Sequence, residues 1–503
     1  MSVPVRSWIA RCVGRCAQIV LENVIHRGST LPGRLALAID PHVLRHLASD
    51  VEVIIVTGTN GKTMTTALTV SILEKAVAAG EIDGPVITNP SGANMLTGIV
   101  ATFLKAPRRP RQALSTAHGA TTSATATRGT TASASGTQET GRPRRRFAVL
   151  EVDEASVSKV VAYLPCSTFV FTNIFRDQMD RYGEIYTTYQ LIVDAASAVP
   201  DATIILNADS PLFQSVDLVN PITTYGFDHH SHEPRRAHYN TDGVLCPRCH
   251  SLLKFTMNTY ANLGNYQCPH CDFRRPPLDV AVTAVSSQTP TSSQFTVSGP
   301  DPAHNQDYTL NVGGLYNIYN ALSAIALAQH LGLSGQAIRA GIQQSKAVFG
   351  RLETFHIPKP QGASTQVTIV LIKNPVGAGQ AFDLINLAAG PLTLVALLNA
   401  NYADGIDTSW IWDAPFEQLT SGGPTGQGKV VQVIAGGSRH HEMARRLRVA
   451  GFDQVTDTAN LETIVDYVRT QAKGHTYIVA TYTAMLRIRE LFAAQGWVHK
   501  ELR

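Results

Sequence analysis

Short apolar runs rich in valine and isoleucine punctuate the chain, and between them apolar positions fall at helical spacing. "VEVIIVT" (51–57), "FAVLEVDEA" (147–155), "STFVFTNI" (167–174) and "ATIILNAD" (202–209) read as strands. "GEIYTTYQLIVDAASAVP" lies between two of them with a helical pattern, and "LYNIYNALSAIALAQHLGLSGQAIRAGI" follows later. Strands alternating with helices predict an α/β fold with a mostly parallel central sheet. Strand signals return at "VTIVLIKNP", "LTLVALLNA", "VVQVIAGG" and "TYIVATYT", so residues 354–503 are expected to form a second α/β domain after a central domain over 50–353. No internal repeat is evident.

Two segments depart from this alternation. Residues 106–146 are small, polar and aperiodic, and are expected to be a disordered insertion, since they bury too little surface to offset chain entropy. Within the N-terminal helical segment 1–49, Val5, Trp8, Ile9, Cys12, Val13 and Cys16 recur at helical spacing among Arg6, Arg11 and Arg15. Packing of that stripe on the protein itself is the expectation, ahead of peripheral contact with an anionic membrane.

With 503 residues, 44% of them hydrophobic, the chain has room for roughly three domains at about 150 residues each. Its net charge of +4 gives little support to nucleic-acid binding. No run reaches the roughly 18 apolar residues of a membrane span, and the N-terminus lacks a signal-peptide pattern, so a cytoplasmic protein is expected.

Candidate chemistry begins at "GTNGKT" (58–63), between a strand and a helix. Gly58 and Gly61, bracketing Thr59 and Asn60, can turn successive N–H groups toward an anion at a helix start. Lys62 would then reach the terminal phosphates of ATP and Thr63 would ligate Mg²⁺. The match to the general phosphate-loop pattern is incomplete, because position 56 is valine; the bland alternative is a glycine-rich turn with a surface lysine. Cys246, Cys249, Cys268 and Cys271 form C-x2-C-x18-C-x2-C, the spacing of a ribbon over about 244–276 that holds structural Zn²⁺ with every coordination position filled. Cys12, Cys16 and Cys166 show no nucleophile signature, so the chain is not expected to release ammonia from glutamine by itself.

These motifs, with "EVDEA" (151–155), "TNIFRDQMDRYGE" (172–184), "LNADSP" (206–211), "GLYNIYNALSAIALA" (314–328) and "FGRLE" (349–353), resemble the Mur ligase family in content and order. The ribbon, "LIKNPVGAGQ" (371–380) and "LLNANYADGIDTSWIWDAPFE" (397–417) narrow the resemblance to the ligase subunits of lipid II isoglutaminyl synthases, which work with a GatD-type glutaminase. The resemblance implies ATP-dependent amidation, through an acyl phosphate, of the α-carboxylate of D-isoglutamate in the lipid II stem peptide. It implies a magnesium or γ-phosphate contact for Glu151, nucleotide contacts for Asn317, Asn320 and Arg351, and a matched motif at Asn173 and Asp177. Asp404 or Asp407 would complete the partner's catalytic group; spacing does not choose between them, and a turn with a helix cap is the alternative. Gln178 stands where Mur ligases commonly have histidine, and no lysine lies between Lys159 and Lys254, so a second Mg²⁺ site lacks its usual construction. A solitary Mur-type or folylpolyglutamate-type ligase and a nucleic-acid-binding NTPase are the rival readings.

Overall fold

The computed structural model describes residues 4–24, 30–89, 93–107, 145–176, 185–228, 244–302, 305–345, 352–360, 362–420 and 428–498. Asp177, Gln178, Arg351 and residues 108–144 of the expected insertion lie outside that set.

Three helices, α1 (Val5–Val24), α2 (Leu31–Ile39) and α3 (Val43–Leu47), precede the first sheet. Its strands are β1 (Glu52–Thr57), β2 (Asp83–Thr88), β3 (Arg146–Glu151), β4 (Thr168–Phe171), β5 (Thr203–Asn207), β6 (Ile222–Phe227), β9 (Val280–Gln288), β10 (Ser293–Ser298) and β11 (Gln306–Leu310). A separate hairpin pairs β7 (Lys254–Tyr260) with β8 (Leu263–Gln267). The helices of this part are α4 (Lys62–Ala78), α5 (Leu96–Lys105), α6 (Val157–Val161), α7 (Ile185–Ser197), α8 (Leu315–His330) and α9 (Gly335–Gln343).

The nine strands run in the order β11-β10-β9-β6-β5-β4-β1-β3-β2. Pairing is parallel from β2 through β9, and β10 and β11 extend the sheet antiparallel. Successive residues of β1 point to opposite faces: Ile54 and Val56 enter a core with α4, α8 and α9, while Val53 and Ile55 enter the core beneath α1–α3, α5 and α7. A strand buried on both faces must be apolar throughout, which is why these strands read as continuous runs.

The second sheet begins at β12 (Glu353–Pro358), beside the expected boundary, and continues with β13 (Ser364–Leu371), β14 (Gly390–Leu397), β15 (Gly428–Gly436), β16 (Thr456–Asp457) and β17 (His475–Ala480) in the order β12-β13-β17-β14-β15-β16. Helices α10 (Pro375–Ile385), α11 (His440–Val449), α12 (Leu461–Thr470) and α13 (Tyr482–Ala494) cover it, so the expected C-terminal α/β domain is present.

One expectation is corrected. The apolar stripe of α1 does not pack on the protein: Val5, Trp8, Ile9, Val13 and Cys16 are exposed, and Cys12 is half-buried. The helix docks through Ser7, Ala10 and Gly14, which are buried. These small residues bring the backbone close to its neighbours: a Cβ on Gly14 would stand 2.6 Å from Leu104 Cδ1. Close backbone approach thus selects the small-residue face over the bulky one.

Candidate active site

Strand order reverses about β1, which has β4 on one side and β3 on the other, and the crevice beyond such strands' carboxyl ends is where open α/β sheets bind ligands. The loop 58–61 sits there, with Gly58 at φ +128° and Gly61 at φ +88° capping α4. A side chain at Gly61 would also collide with Asn320, whose Oδ1 lies 2.1 Å from the position a Cβ would take. The residues after β4 hold the loop from behind. The Asn60 N–H donates to Asn173 Oδ1 at 2.9 Å, and Asn173 Nδ2 and Thr172 Oγ1 donate to the Asn60 carbonyl at 3.1 and 2.8 Å. Asn173 therefore shapes the loop, spending both amide atoms on its backbone. The Asn60 side-chain amide nitrogen is buried without a partner among the described residues, an orphan donor suited to an anion.

Lys62, the first residue of α4, is buried. Its ammonium donates to both oxygens of Glu154 at 3.0 Å and to the Gly58 carbonyl at 2.5 Å. Burial works against this charge, but the Glu154, Asp153 and Glu151 carboxylates outweigh it and hold the lysine above its ordinary pKa. Burial pushes Glu154 up from the usual carboxylate value, with Lys62 and Lys373 opposing the rise.

At the end of β3, Asn89 clamps the Glu151 backbone through both its N–H, at 2.9 Å, and its carbonyl, at 2.8 Å. The Glu151 side chain thereby accepts the Thr63 hydroxyl at 3.1 Å. A hydroxyl and a carboxylate beside a buried ammonium are the hard oxygen ligands and charge partner that a Mg²⁺–nucleotide takes. The observed geometry fits both groups.

Asn317 and Asn320 lie buried near the start of α8. Asn317 Nδ2 donates to the Gly313 carbonyl at 2.7 Å, and Asn320 Nδ2 donates to Asn317 Oδ1 at 3.3 Å. The C-terminal domain also reaches the loop: Asn374 Nδ2 donates to Asn60 Oδ1 at 3.3 Å, while Asn374 Oδ1 caps α10 by accepting the Gly377 N–H at 2.7 Å. Sequence reasoning missed Glu154, Lys373 and Asn374 as members of this site. Glu154 was visible only as the second glutamate of "EVDEA", and Lys373 and Asn374 only within "LIKNPVGAGQ", with no role in this site attached.

The two candidate aspartates of the C-terminal domain separate cleanly. Asp404 is buried and accepts the Thr483 N–H at 2.7 Å, the Thr483 hydroxyl at 2.5 Å and the Asn401 N–H at 3.1 Å. Asp407 is exposed and accepts only local bonds, from the Ser409 N–H at 2.8 Å and the Ser409 hydroxyl at 2.9 Å, among the contacts of the described residues. Tyr402, Ile406 and Trp412 are exposed around it, whereas Trp410 packs partly into the domain core. Buried Arg446 fixes this segment by donating to the Ile411 and Ala414 carbonyls at 2.9 and 2.7 Å and to Glu417 at 2.9 Å.

The four ribbon cysteines converge. Cys246 and Cys271 sulfurs are 3.5 Å apart, Cys249 and Cys268 3.4 Å, and Cys249 and Cys271 3.7 Å. A tetrahedral ion with bonds of about 2.3 Å would hold its sulfurs about 3.8 Å apart, so the set fits zinc closely. Arg275, just beyond the last knuckle, enters the central domain and donates to Asp209 at 2.8 Å and to the Phe227 carbonyl at 2.6 Å.

Comparison with known proteins agrees with this geometry. Residues 56–266 match the Mur ligase middle domain, and residues 371–485 match the MurT ligase C-terminal domain. The chain is 49% identical to the MurT subunit of the glutamine-hydrolysing lipid II isoglutaminyl synthase of Streptococcus pneumoniae R6, across 97% of each chain. It is 30% identical to the corresponding Staphylococcus aureus N315 subunit across 88% of each. Among solved structures, a pseudomurein peptide ligase type C from Methanothermus fervidus shares the fold with a TM-score of 0.58 at 19% identity, covering 88% of this chain and 79% of that one. Fold, site and sequence thus agree that this chain belongs to the Mur ligase family, among the MurT subunits of lipid II isoglutaminyl synthases.

Proposed function

We propose that the chain is the ATP-using subunit that amidates the α-carboxylate of D-isoglutamate in lipid II, at the cytoplasmic face of the membrane. The observation that carries this reading is 49% identity across 97% of a named MurT subunit, joined to an intact Lys62, Thr63 and Glu151 set around the phosphate loop. A carboxylate oxygen attacks the γ-phosphorus of ATP, the bond to the β-bridging oxygen breaks, and ADP leaves an acyl phosphate. Ammonia then attacks the acyl carbon; inorganic phosphate departs, a proton is lost, and the amide remains. Lys62 would balance charge at the phosphates, Thr63 and Glu151 would hold Mg²⁺, and Asn317, Asn320 and Arg351 would complete the nucleotide site, with Asn173 holding the loop in shape. Bound Mg²⁺ supplies charge neutralisation and fixed phosphate geometry.

Ammonia comes from a separate GatD-type glutaminase docked on the exposed surface around Tyr402, Ile406 and Trp412. Asp407, not the internally bonded Asp404, would orient the histidine of that partner's Cys–His pair. In the complex, Asp407→Asn is expected to lower glutamine-dependent amidation about 10²- to 10⁴-fold and to leave ammonium-driven amidation within about twofold. Equal losses with both nitrogen sources would refute that role. Failure of the wild-type complex to amidate lipid II with either source, while it binds ATP, would refute the function itself.

The ribbon's four thiolates would hold one structural Zn²⁺. Cys246→Ser is expected to lower bound zinc well below one per chain and to make residues 244–276 protease-sensitive. Unchanged metal content measured by mass spectrometry would exclude the site.

A further inference from the structure

Helix α1 presents two unlike faces. At 100° per residue, Val5, Trp8, Ile9, Val13, Ile19 and Val20 fall within an arc of about 140°, and all six are exposed, Val5 by 74%, Trp8 by 58% and Ile19 by 58%. The docking face, Ser7, Ala10 and Gly14, is centred opposite that arc. Arg6, whose Nε also donates to the Ile39 carbonyl, falls at one margin of the apolar arc and exposed Arg15 at the other, with Arg11 one position beyond Arg15 toward the protein. The one acidic residue of α1 is Glu22, in its last turn, against three arginines. Arg11 and Arg15 also border a cleft with Arg146, where Asp50 is the one acidic residue among the described lining.

We propose that this face of α1 lies in the interface of an anionic bilayer. The occupant follows from charge and shape. A convex apolar arc edged on both sides by arginines matches acyl chains below anionic headgroups, with the arginine stems reaching up from the apolar zone. A second copy of the chain would place the same arginines against one another. The inference deepens the proposed function, because it supplies the surface by which a soluble catalytic domain meets a lipid-linked carboxylate. No helix of the described residues is long and apolar enough to cross a membrane.

The test uses the complex with its glutaminase and vesicles of phosphatidylcholine with or without phosphatidylglycerol. The two margin arginines, Arg6 and Arg15, predict about 30-fold stronger partitioning onto the anionic vesicles, falling as salt rises. Brominated lipid should quench Trp8 fluorescence, identified among the chain's four tryptophans by comparison with Trp8→Phe. The Trp8→Ser/Ile9→Ser variant changes exposed positions only, and is expected to weaken partitioning at least tenfold. It should leave ATP binding and amidation of a water-soluble short-chain lipid II analogue unchanged. Absence of partitioning, or partitioning that this variant does not alter, overturns the proposal. So does a concentration-dependent dimer, seen by light scattering, that the variant dissolves. Because partitioning is read without amidation, and the soluble analogue reports amidation without a membrane, failure here and failure of the proposed reaction remain distinguishable.

Discussion

Replacing Lys62 with methionine is expected to lower amidation about 10²- to 10³-fold, equally with glutamine and with ammonium. The ammonium sits in the first turn of α4 beside the glycine loop, where the proposed function has it meet the phosphates, and methionine keeps the stem but supplies no charge. The loss should fall mainly on kcat, because negative charge on the bridging oxygen grows during transfer. A structural effect must be separated from this one, since the same ammonium satisfies buried Glu154 through both oxygens at 3.0 Å. Lys62→Met/Glu154→Gln removes both charges. If the lysine only neutralised Glu154, the double variant would recover activity; continued loss in a normally folded protein assigns the charge to catalysis. Activity of Lys62→Met within about fivefold of wild type would sink the assignment.

Arg275→Met is expected to destabilise the central domain by about 3–5 kcal/mol, the cost of leaving a buried carboxylate without its cation. Asp209 is fully enclosed and also accepts the Tyr319 hydroxyl at 2.6 Å and the Phe227 N–H at 2.8 Å. Burial pushes its pKa up, and Arg275 is the main group opposing that rise. The exposed Arg145–Glu52 pair, although shorter at 2.6 Å, should contribute no more than about 1 kcal/mol. Urea denaturation of Arg275→Met, Arg145→Met and Asp209→Asn/Arg275→Met checks this ordering. The double variant should recover part of the loss. A cost below about 1 kcal/mol for Arg275→Met would show that water or a neighbour replaces the guanidinium.

Strands β1, β3, β4 and β5 were legible because both of their faces are buried, and the cysteine spacing was legible because four thiols converging on one point need two short, similar knuckles. The antiparallel extension β9–β11 was not: serine, threonine and glutamine occupy its solvent-facing positions and erase the continuous apolar signal. The periodicity of α1 gave a helix but reversed its orientation, since contact area favours the bulky stripe while backbone approach favours Gly14. Asp404 and Asp407 are alike in local sequence, and what separates them is Thr483, brought from α13 by the fold. Asn374 and Asn60 likewise meet across the two domains, a pairing that no local pattern encodes.

Strands β6 and β9 pair in parallel, with Tyr225 opposite Val280, and the chain between them contains the ribbon. A parallel pair needs a crossover, a place usually filled by a helix. Here the knuckles and the β7–β8 hairpin are that crossover. Early capture of an ion by the four thiolates would fold most of the connection before its ends meet, and so shorten the loop that β9 must close on β6. With zinc bound, the ribbon would act on the order of assembly: the metal would set when the last parallel strand is added, and the antiparallel edge would follow it.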